Sequence, residues 1–262
     1  MRAARAFLIF SYGLFTLAAQ TLLFREFITT FEGNDISVGI FFGSWFLWVG
    51  LAALLVNKAK AVAHKLLKHI EFLFLCYLPA FILQAILIIQ ARELAGIEPY
   101  ELLSIRAVLL LSIVINAPVS VITGMLFPIA CRWVQQSQKL PVSRVYILEA
   151  AGSFVGGLGA TVLLGFGVGS ATIFFILAFI VSLSVFCVQL TKARRWALAF
   201  VPVCALVCLL AGADKALMQQ MRIIKWGKLL PEEALAGSFQ TAQAEYLYGC
   251  LLYTSPSPRD RS

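Results

Sequence analysis

The sequence predicts an all-α, polytopic membrane bundle of about seven transmembrane helices, followed by the start of a truncated soluble domain that contains β-structure. Three observations predict this fold class. Apolar stretches recur along the chain, each near the ~20 residues that a helix needs to cross a membrane. The composition is 61% hydrophobic and 13% charged, with a mean hydropathy of +0.89, far from that of soluble domains. Lys and Arg also gather in alternate gaps between the stretches.

The predicted spans are, in chain order, Phe7–Phe24, Ser37–Val56, Glu71–Ala91, Ala107–Ala130, Val145–Gly165, Ala171–Leu190 and Trp196–Ala211. The first span begins like a secretory signal, but no small-residue cleavage site follows it, so we expect it to be retained. Pro118 and Pro128 predict a kink in the fourth span, with Asn116 and Ser120 nearby to satisfy the freed backbone groups. Glycines at 165, 167 and 169 predict a tight turn after the fifth span.

The distribution of basic residues predicts the orientation. They precede the first span and fill the second, fourth and sixth gaps: Arg2, Arg5, Lys58, Lys60, Lys65, Lys68, Arg132, Lys139, Arg144, Lys192, Arg194 and Arg195. By the positive-inside rule we expect an integral protein of a bacterial plasma (inner) membrane with a cytoplasmic N-terminus. The net charge of +8 is spread over these gaps, so it indicates contact with lipid headgroups and argues against a nucleic-acid surface.

Polar side chains at the outer ends of the first two spans are candidates for function, because charged groups near membrane depth are costly. The set is Gln20, Arg25, Glu26, Asn34 and Asp35. Two readings are open. Arg25 pairs with Glu26, Glu32 or Asp35 in a rim network that joins two helices, or the set lines a substrate path.

Glu149 lies about one helical turn into the fifth span. Its carboxylate is expected to snorkel to the cytoplasmic face or to pair with Arg132 or Arg144. A role in a proton or cation relay is the functional alternative.

A face of small residues follows on the same span. Gly152, Gly156 and Ala160 recur at four-residue spacing, which lets two membrane helices approach backbone to backbone. This pattern predicts helix packing and carries no chemistry of its own.

No metal or cofactor site is predicted. Cys204 and Cys208 share a helix face, as a metal or redox pair would, but cysteines within apolar spans usually serve as small apolar filler. His64 and His69 lie among lysines without a carboxylate or thiol companion.

The composition changes after about Gly212, which divides the chain into a bundle (1–212), a linker with a first hairpin (213–249) and a tail (250–262). An amphipathic helix is predicted over Lys215–Leu230, ended by Pro231, with its apolar face opposite its basic one. The apolar face is Leu217, Met221, Ile224 and Leu229, and the basic face is Arg222, Lys225 and Lys228. The tail resembles translated sequencing-adapter sequence, so we expect the natural protein to continue past Gly249.

Several motifs together resemble one family, the multi-pass membrane proteins in which a major-facilitator-like region is fused to a spermidine-synthase-like domain. The resemblance covers roughly residues 10–249 and rests on Gln20–Phe27, Gly33-Asn34-Asp35, Gly124–Pro128, Tyr146 with Glu149, Gly152, Ser153, Gly156 and Gly157, and Phe239–Gly249. The family more often has Glu at the position of Asp35. The last segment resembles the opening hairpin of the synthase domain.

The resemblance implies aminopropyl transfer from decarboxylated S-adenosylmethionine to putrescine in the full protein. That chemistry needs a glycine-rich nucleotide loop and acidic residues that hold the amine, and neither lies in this sequence. No catalytic or cofactor-binding residue is therefore assigned, and the expected partners are the lipid bilayer, the chain's own soluble domain and a polyamine. The alternatives are a multi-pass transporter of small cationic or polar solutes and a structural membrane anchor.

The predicted topology raises a difficulty for this reading. An odd number of spans with a cytoplasmic N-terminus places the synthase-like domain outside the cytoplasm, whereas decarboxylated S-adenosylmethionine is a cytoplasmic metabolite. Either the span count differs, or the soluble domain performs another function with a similar fold.

Overall fold

The computed structural model describes residues 2–31, 33–97, 101, 103–138, 142–188, 192–229, 235–241 and 243–249. Predictions that concern Glu32, Lys139, Pro231 and the tail 250–262 lie outside these residues.

Helices dominate the described chain. They are α1 (Arg2–Thr30), α2 (Asp35–Lys58), α3 (Lys60–Lys68), α4 (Ile70–Leu75), α5 (Tyr77–Ile89), α6 (Ala91–Leu94), α7 (Ile105–Ile115), α8 (Ala117–Gln138), α9 (Val142–Gly165), α10 (Ser170–Val188), α11 (Lys192–Leu210) and α12 (Ala213–Leu229). Two strands, β1 (Leu235–Gln240) and β2 (Glu245–Gly249), pair antiparallel. The all-α class with a small C-terminal β-element is confirmed.

Six of the described helical segments are long and apolar enough to cross a membrane: Ala3–Thr30, Asp35–Lys58, Ile70–Ile89, Ala117–Gln136, Val142–Gly165 and Ser170–Val188. The predicted seventh span does not qualify as one straight helix. It qualifies only when Ala199–Leu210 is joined to Ala213–Lys228 across a bend of 72°. Gly212 makes that bend with a φ of +69°, a conformation that residues other than glycine rarely adopt.

Two predicted spans are interrupted, both just before a proline. The fourth was expected as one kinked helix over Ala107–Ala130, but it divides at Asn116 into α7 and α8, with Pro118 in the first turn of α8. The third divides at Cys76, with Pro79 in the first turn of α5. A proline ring clashes with the carbonyl four residues earlier and has no N–H to donate, so a new helix starts there more easily than the old one continues.

α1 is the central helix of the bundle. Of its most apolar stretch, 61% is buried inside the protein, compared with 22% for α2 and for α9. α1 packs along α9 and also contacts α5 and α10, while α2 packs along α8 and α10 packs along α11. Its side chains Leu8, Phe15 and Phe27 belong to the main hydrophobic core.

The predicted glycine turn joins α9 to α10, with Gly167 at a φ of +79°. The amphipathic helix is also present, as α12, and begins slightly earlier than predicted. It lies at the end of the bundle where α1 ends and α10 begins, because Asp214 accepts a hydrogen bond from Thr172 at 2.5 Å and Met218 lies against Gly169. We call this end, formed by Thr30, Ile89 and Ser170, the distal end.

Candidate functional site

Arg25, in the last turns of α1, is a buried cation at the distal end. The residue is only 3% exposed. Its Nη1 donates to Ser170 Oγ at the start of α10 at 3.0 Å, and its Nη2 donates to the carbonyl oxygen of Thr241 in the hairpin loop at 3.1 Å. Nε has no hydrogen-bond partner among the described residues. The guanidinium therefore joins two membrane helices to the hairpin through neutral acceptors.

Glu26, the next residue, contacts a different element. Its carboxylate is buried and forms an ion pair with Lys225 of α12. The predicted pairing of Arg25 with Glu26 or Asp35 is absent from the ion pairs of the described residues, and Glu32 lies outside them. Arg25 and Glu26, although adjacent in sequence, instead contact separate parts of the C-terminal segment: Arg25 bonds to the hairpin loop and Glu26 to α12.

Two further ion pairs involve α12. Lys228 Nζ lies 2.9 Å from Glu93 Oε2 of α6, and Arg222 Nε lies 2.6 Å from Glu245 Oε1 of β2. The three residues of the predicted basic face, Arg222, Lys225 and Lys228, are thus all engaged with carboxylates. The buried stripe of α12 is Met218 and Trp226, whereas Leu217 and Ile224 are 43% and 50% exposed. Leu217 and Ile224 thus lie on the side of α12 that faces away from the protein, opposite the paired basic residues, which fits the predicted division into an apolar and a basic face.

A cleft of about 1100 Å³ lies between the distal end and the C-terminal segment. Its walls come from the ends of α1, α5 and α6, from α12 and from β2. Its cationic side chains are Arg25, Arg92, Lys225 and Lys228, and its carboxylates are Glu26, Glu93 and Glu245. The walls also carry Ile89, Ile97, Trp226 and Tyr246. This cleft is the candidate site.

The remaining rim candidates lie outside this cleft. Asn34 is the N-cap of α2, and its Oδ1 accepts a hydrogen bond from Ser37 N at 2.8 Å. Asp35 is exposed in the first turn of the same helix, where a negative charge is favourable. Gln20 is buried within α1 and does not line the cleft. These contacts give Asn34 and Asp35 roles in starting a helix.

Glu149 does not form the predicted ion pairs. Its Oε1 accepts a hydrogen bond from Ser153 Oγ at 3.0 Å, one turn further along α9. Arg132 donates instead to Asn57 Oδ1 at 3.1 Å. Neither Arg132 nor Arg144 appears with Glu149 among the ion pairs of the described residues.

The small-residue face of α9 contacts α1. A Cβ atom on Gly152 would lie 2.0 Å from the carbonyl oxygen of Phe10, and one on Gly156 would lie 2.1 Å from that of Leu14. The approach is reciprocal, because a Cβ on Gly13 would lie 2.0 Å from the carbonyl oxygen of Glu149. Ala160, the third residue of the face, is also buried. The two backbones are therefore in direct contact along this face.

A second polar cluster lies inside the bundle, around the break between α7 and α8. Asn116 donates to Ser44 Oγ at 2.7 Å and to the carbonyl oxygen of Phe41 at 3.2 Å. Gln84 donates to Asn116 Oδ1 at 3.0 Å and accepts from Val119 N at 3.1 Å. The backbone N–H freed at the break is thus satisfied by Gln84 from α5. Sequence reasoning had assigned that role to neighbours of the proline and missed Gln84.

No group of three or more His, Cys, Asp or Glu residues that could hold a metal ion occurs within the described ranges. No family model matches the chain, and no curated protein or solved structure matches it significantly. The chain has the long apolar helices of an integral membrane protein. Its family resemblance rests on the sequence motifs alone.

Proposed function

We propose that this chain is the membrane-embedded N-terminal part of a spermidine-synthase-like protein, in which the bundle anchors and orients a soluble domain and is itself non-catalytic. The observation that carries the proposal is the attachment of α12 and the hairpin to the distal end through Arg25 and Glu26. Both residues belong to the Gln20–Phe27 motif on which the family resemblance rests. In this account, the motif is a docking element for the segment that leads into the soluble domain.

Burial indicates which docking contacts matter. The side chains of Glu26 and Lys225 are 10% and 21% exposed, and breaking a buried pair by removing one partner typically costs ~3–5 kcal/mol. Glu93 is 61% exposed, so its pair with Lys228 is screened by water and is expected to contribute about 0–1 kcal/mol. The docking therefore depends mainly on Glu26 and Arg25.

The path of α11 supports a seventh crossing. α11 follows α10 in sequence, packs along it, and is succeeded by α12 at the distal end, where α10 begins. A helix that starts near the end of α10 and finishes near its beginning travels the height of the bundle. The docked segment then lies on the side of the membrane opposite the N-terminus, and with a cytoplasmic N-terminus that side is extracytoplasmic.

This placement favours one resolution of the topological difficulty. A domain outside the cytoplasm has no supply of decarboxylated S-adenosylmethionine, so we expect the domain of this protein to use the fold for a different donor or acceptor. Transport of small cationic or polar solutes is the alternative function. A transport path would draw on the cluster of Gln84, Asn116 and Ser44, but those side chains bond to one another. They do not line the candidate cleft, and they do not line a second, smaller cleft that lies beside Asp214.

Cross-linking tests the docking. In a cysteine-free background, Glu93→Cys with Lys228→Cys should be cross-linked by a short bis-maleimide in native membranes, because the two native side chains meet at their tips and their pair contributes little energy. The control is Glu93→Cys with Lys215→Cys, since Lys215 lies about 20 Å from Lys228 along α12. Equal cross-linking of both pairs, or of neither, would contradict docking.

The chain past Gly249 tests the enzymatic part of the proposal. We expect a strand, a glycine-rich loop and then acidic residues when the natural gene is sequenced beyond that codon. A continuation without that order would leave the bundle as an anchor or transporter unrelated to the synthase family.

A further inference from the structure

The docking contacts leave one buried cation of the cleft, Arg25, outside the ion pairs of the described residues. Each carboxylate of the cleft already has a cationic partner: Glu26 has Lys225, Glu93 has Lys228, and Glu245 has Arg222. Arg25 is bonded only to the hydroxyl of Ser170 and the carbonyl of Thr241. The negative charges of Glu26 and Glu245 act on Arg25 through space, but its buried Nε has no acceptor among the described residues, so one donor of the site is unsatisfied.

Among the described residues of the cleft lining, basic side chains outnumber acidic ones. Four of its side chains are cationic and three are carboxylates, and Arg222, from the other side of α12, neutralises one of those three. An anion entering the cleft would meet the guanidinium of Arg25, which takes part in no ion pair of the described residues. A guanidinium is also the side chain best suited to it, because its planar fork of N–H donors matches the oxygens of a phosphate.

The position of the cleft indicates where such an anion would come from. It opens at the ends of the spanning helices α1 and α5, which is the depth of lipid headgroups. Trp226 and Tyr246 line it beside the apolar side chains Ile89 and Ile97. Aromatic residues are typical of this depth, and apolar walls beside cationic groups suit an acyl chain attached to a phosphate.

We propose that the cleft binds one phosphate group, either the phosphodiester of a lipid headgroup or free phosphate, with Arg25 as its counter-charge. The inference rests on the proposed function in one respect, since the cleft exists only while α12 and the hairpin are docked. It goes beyond docking by assigning a ligand to the space that docking encloses.

Calorimetric titration of the purified chain in detergent tests the proposal with two probes, dihexanoyl-phosphatidylglycerol and inorganic phosphate. We expect saturable binding that falls about tenfold or more in Arg25→Gln, the effect of losing a charge-assisted hydrogen bond. Arg106→Gln is the control, because Arg106 is exposed at the start of α7 and lies outside the cleft. Binding of the lipid alone identifies a headgroup site, and equal binding of both probes identifies a free-anion site.

Cross-linking between positions 93 and 228 is measured on every variant, so that loss of docking is separated from loss of binding. Unchanged affinity in a docked Arg25→Gln variant, or no binding by a docked wild type, would overturn the phosphate site and leave the docking proposal intact. If Arg25→Gln abolishes the cross-link and so undocks the C-terminal segment, the phosphate affinity of Arg25→Lys is measured instead. This variant keeps the charge and loses the fork, so a reduced affinity supports the site and wild-type affinity refutes it.

Discussion

The contact between α1 and α9 offers the sharpest prediction about stability. In Gly156→Ala, the new methyl group would lie 2.1 Å from the carbonyl oxygen of Leu14 and 2.7 Å from Leu14 Cα. Both atoms belong to backbone, so no side-chain rotation can relieve the clash. The helices would have to separate by roughly 1 Å or more, which removes dispersion contacts along the whole face.

The magnitude follows from two opposing effects. Overpacking of a well-packed contact typically costs ~1–3 kcal/mol, while Gly→Ala in a helix interior gains up to ~1 kcal/mol in propensity. We expect Gly156→Ala to lower the free energy of unfolding by about 1–2 kcal/mol, and Gly156→Leu by more. Gly159→Ala is the matched control, because a Cβ at Gly159 would have no atom within 4 Å.

Thermal unfolding of the two variants in detergent checks this reasoning. Gly159→Ala should unfold at the same temperature as the wild type or slightly above it, and Gly156→Ala several degrees below. If both variants shifted in the same direction by similar amounts, the direct backbone contact would be refuted.

Three further predictions concern other parts of the chain. Asn116→Ala should lower the free energy of unfolding by about 1–3 kcal/mol, because it removes the acceptor of the buried Gln84 amide N–H. Ser120→Ala should be neutral, because the buried Ser120 hydroxyl has no partner among the described residues, and chemical denaturation distinguishes the two variants. Asn34→Ala should cost about 1 kcal/mol through loss of the cap on α2, and a glycine at that position should restore most of it in the same assay. The purified chain, given putrescine and decarboxylated S-adenosylmethionine, should form no spermidine above the uncatalysed rate, since its sequence has no glycine-rich nucleotide loop and its described residues hold no base positioned for the reaction. Turnover that is abolished by Glu149→Gln would contradict this expectation.

Features determined by local pattern could be predicted from the sequence. Apolar length is sufficient to locate α1, α2, α9 and α10, because a membrane sets the number of residues that a helix needs. The four-residue spacing of Gly152 and Gly156 likewise identifies a packing face, although the spacing does not say that the neighbour is α1. Pro118 located the break in the fourth span within two residues, but Pro128 lies inside α8 without ending it. At the break, Gln84 accepts from Val119 N, a contact between distant helices that the sequence does not indicate.

Long-range pairing could not be predicted. Arg25 and Glu26 are adjacent in sequence, which suggests that they pair with each other or along one rim. Their actual partners are Ser170, Thr241 and Lys225, far along the chain. The partners of the basic face of α12 have the same origin, because Lys225 pairs with Glu26 and Arg222 with Glu245, both far from them along the chain.

The central claim is that the C-terminal segment docks on the end of the bundle opposite the N-terminus. It is tested most directly by labelling Lys60→Cys and Lys215→Cys, one at a time in a cysteine-free background, with a membrane-impermeant maleimide in sealed inverted and right-side-out vesicles. Both positions are exposed, Lys60 at the start of α3 and Lys215 in the first turn of α12. The account predicts labelling from opposite sides, with Lys60 reached from the cytoplasmic face. Labelling of both positions from the same face would mean that α11 does not cross the membrane, and would contradict the docked arrangement.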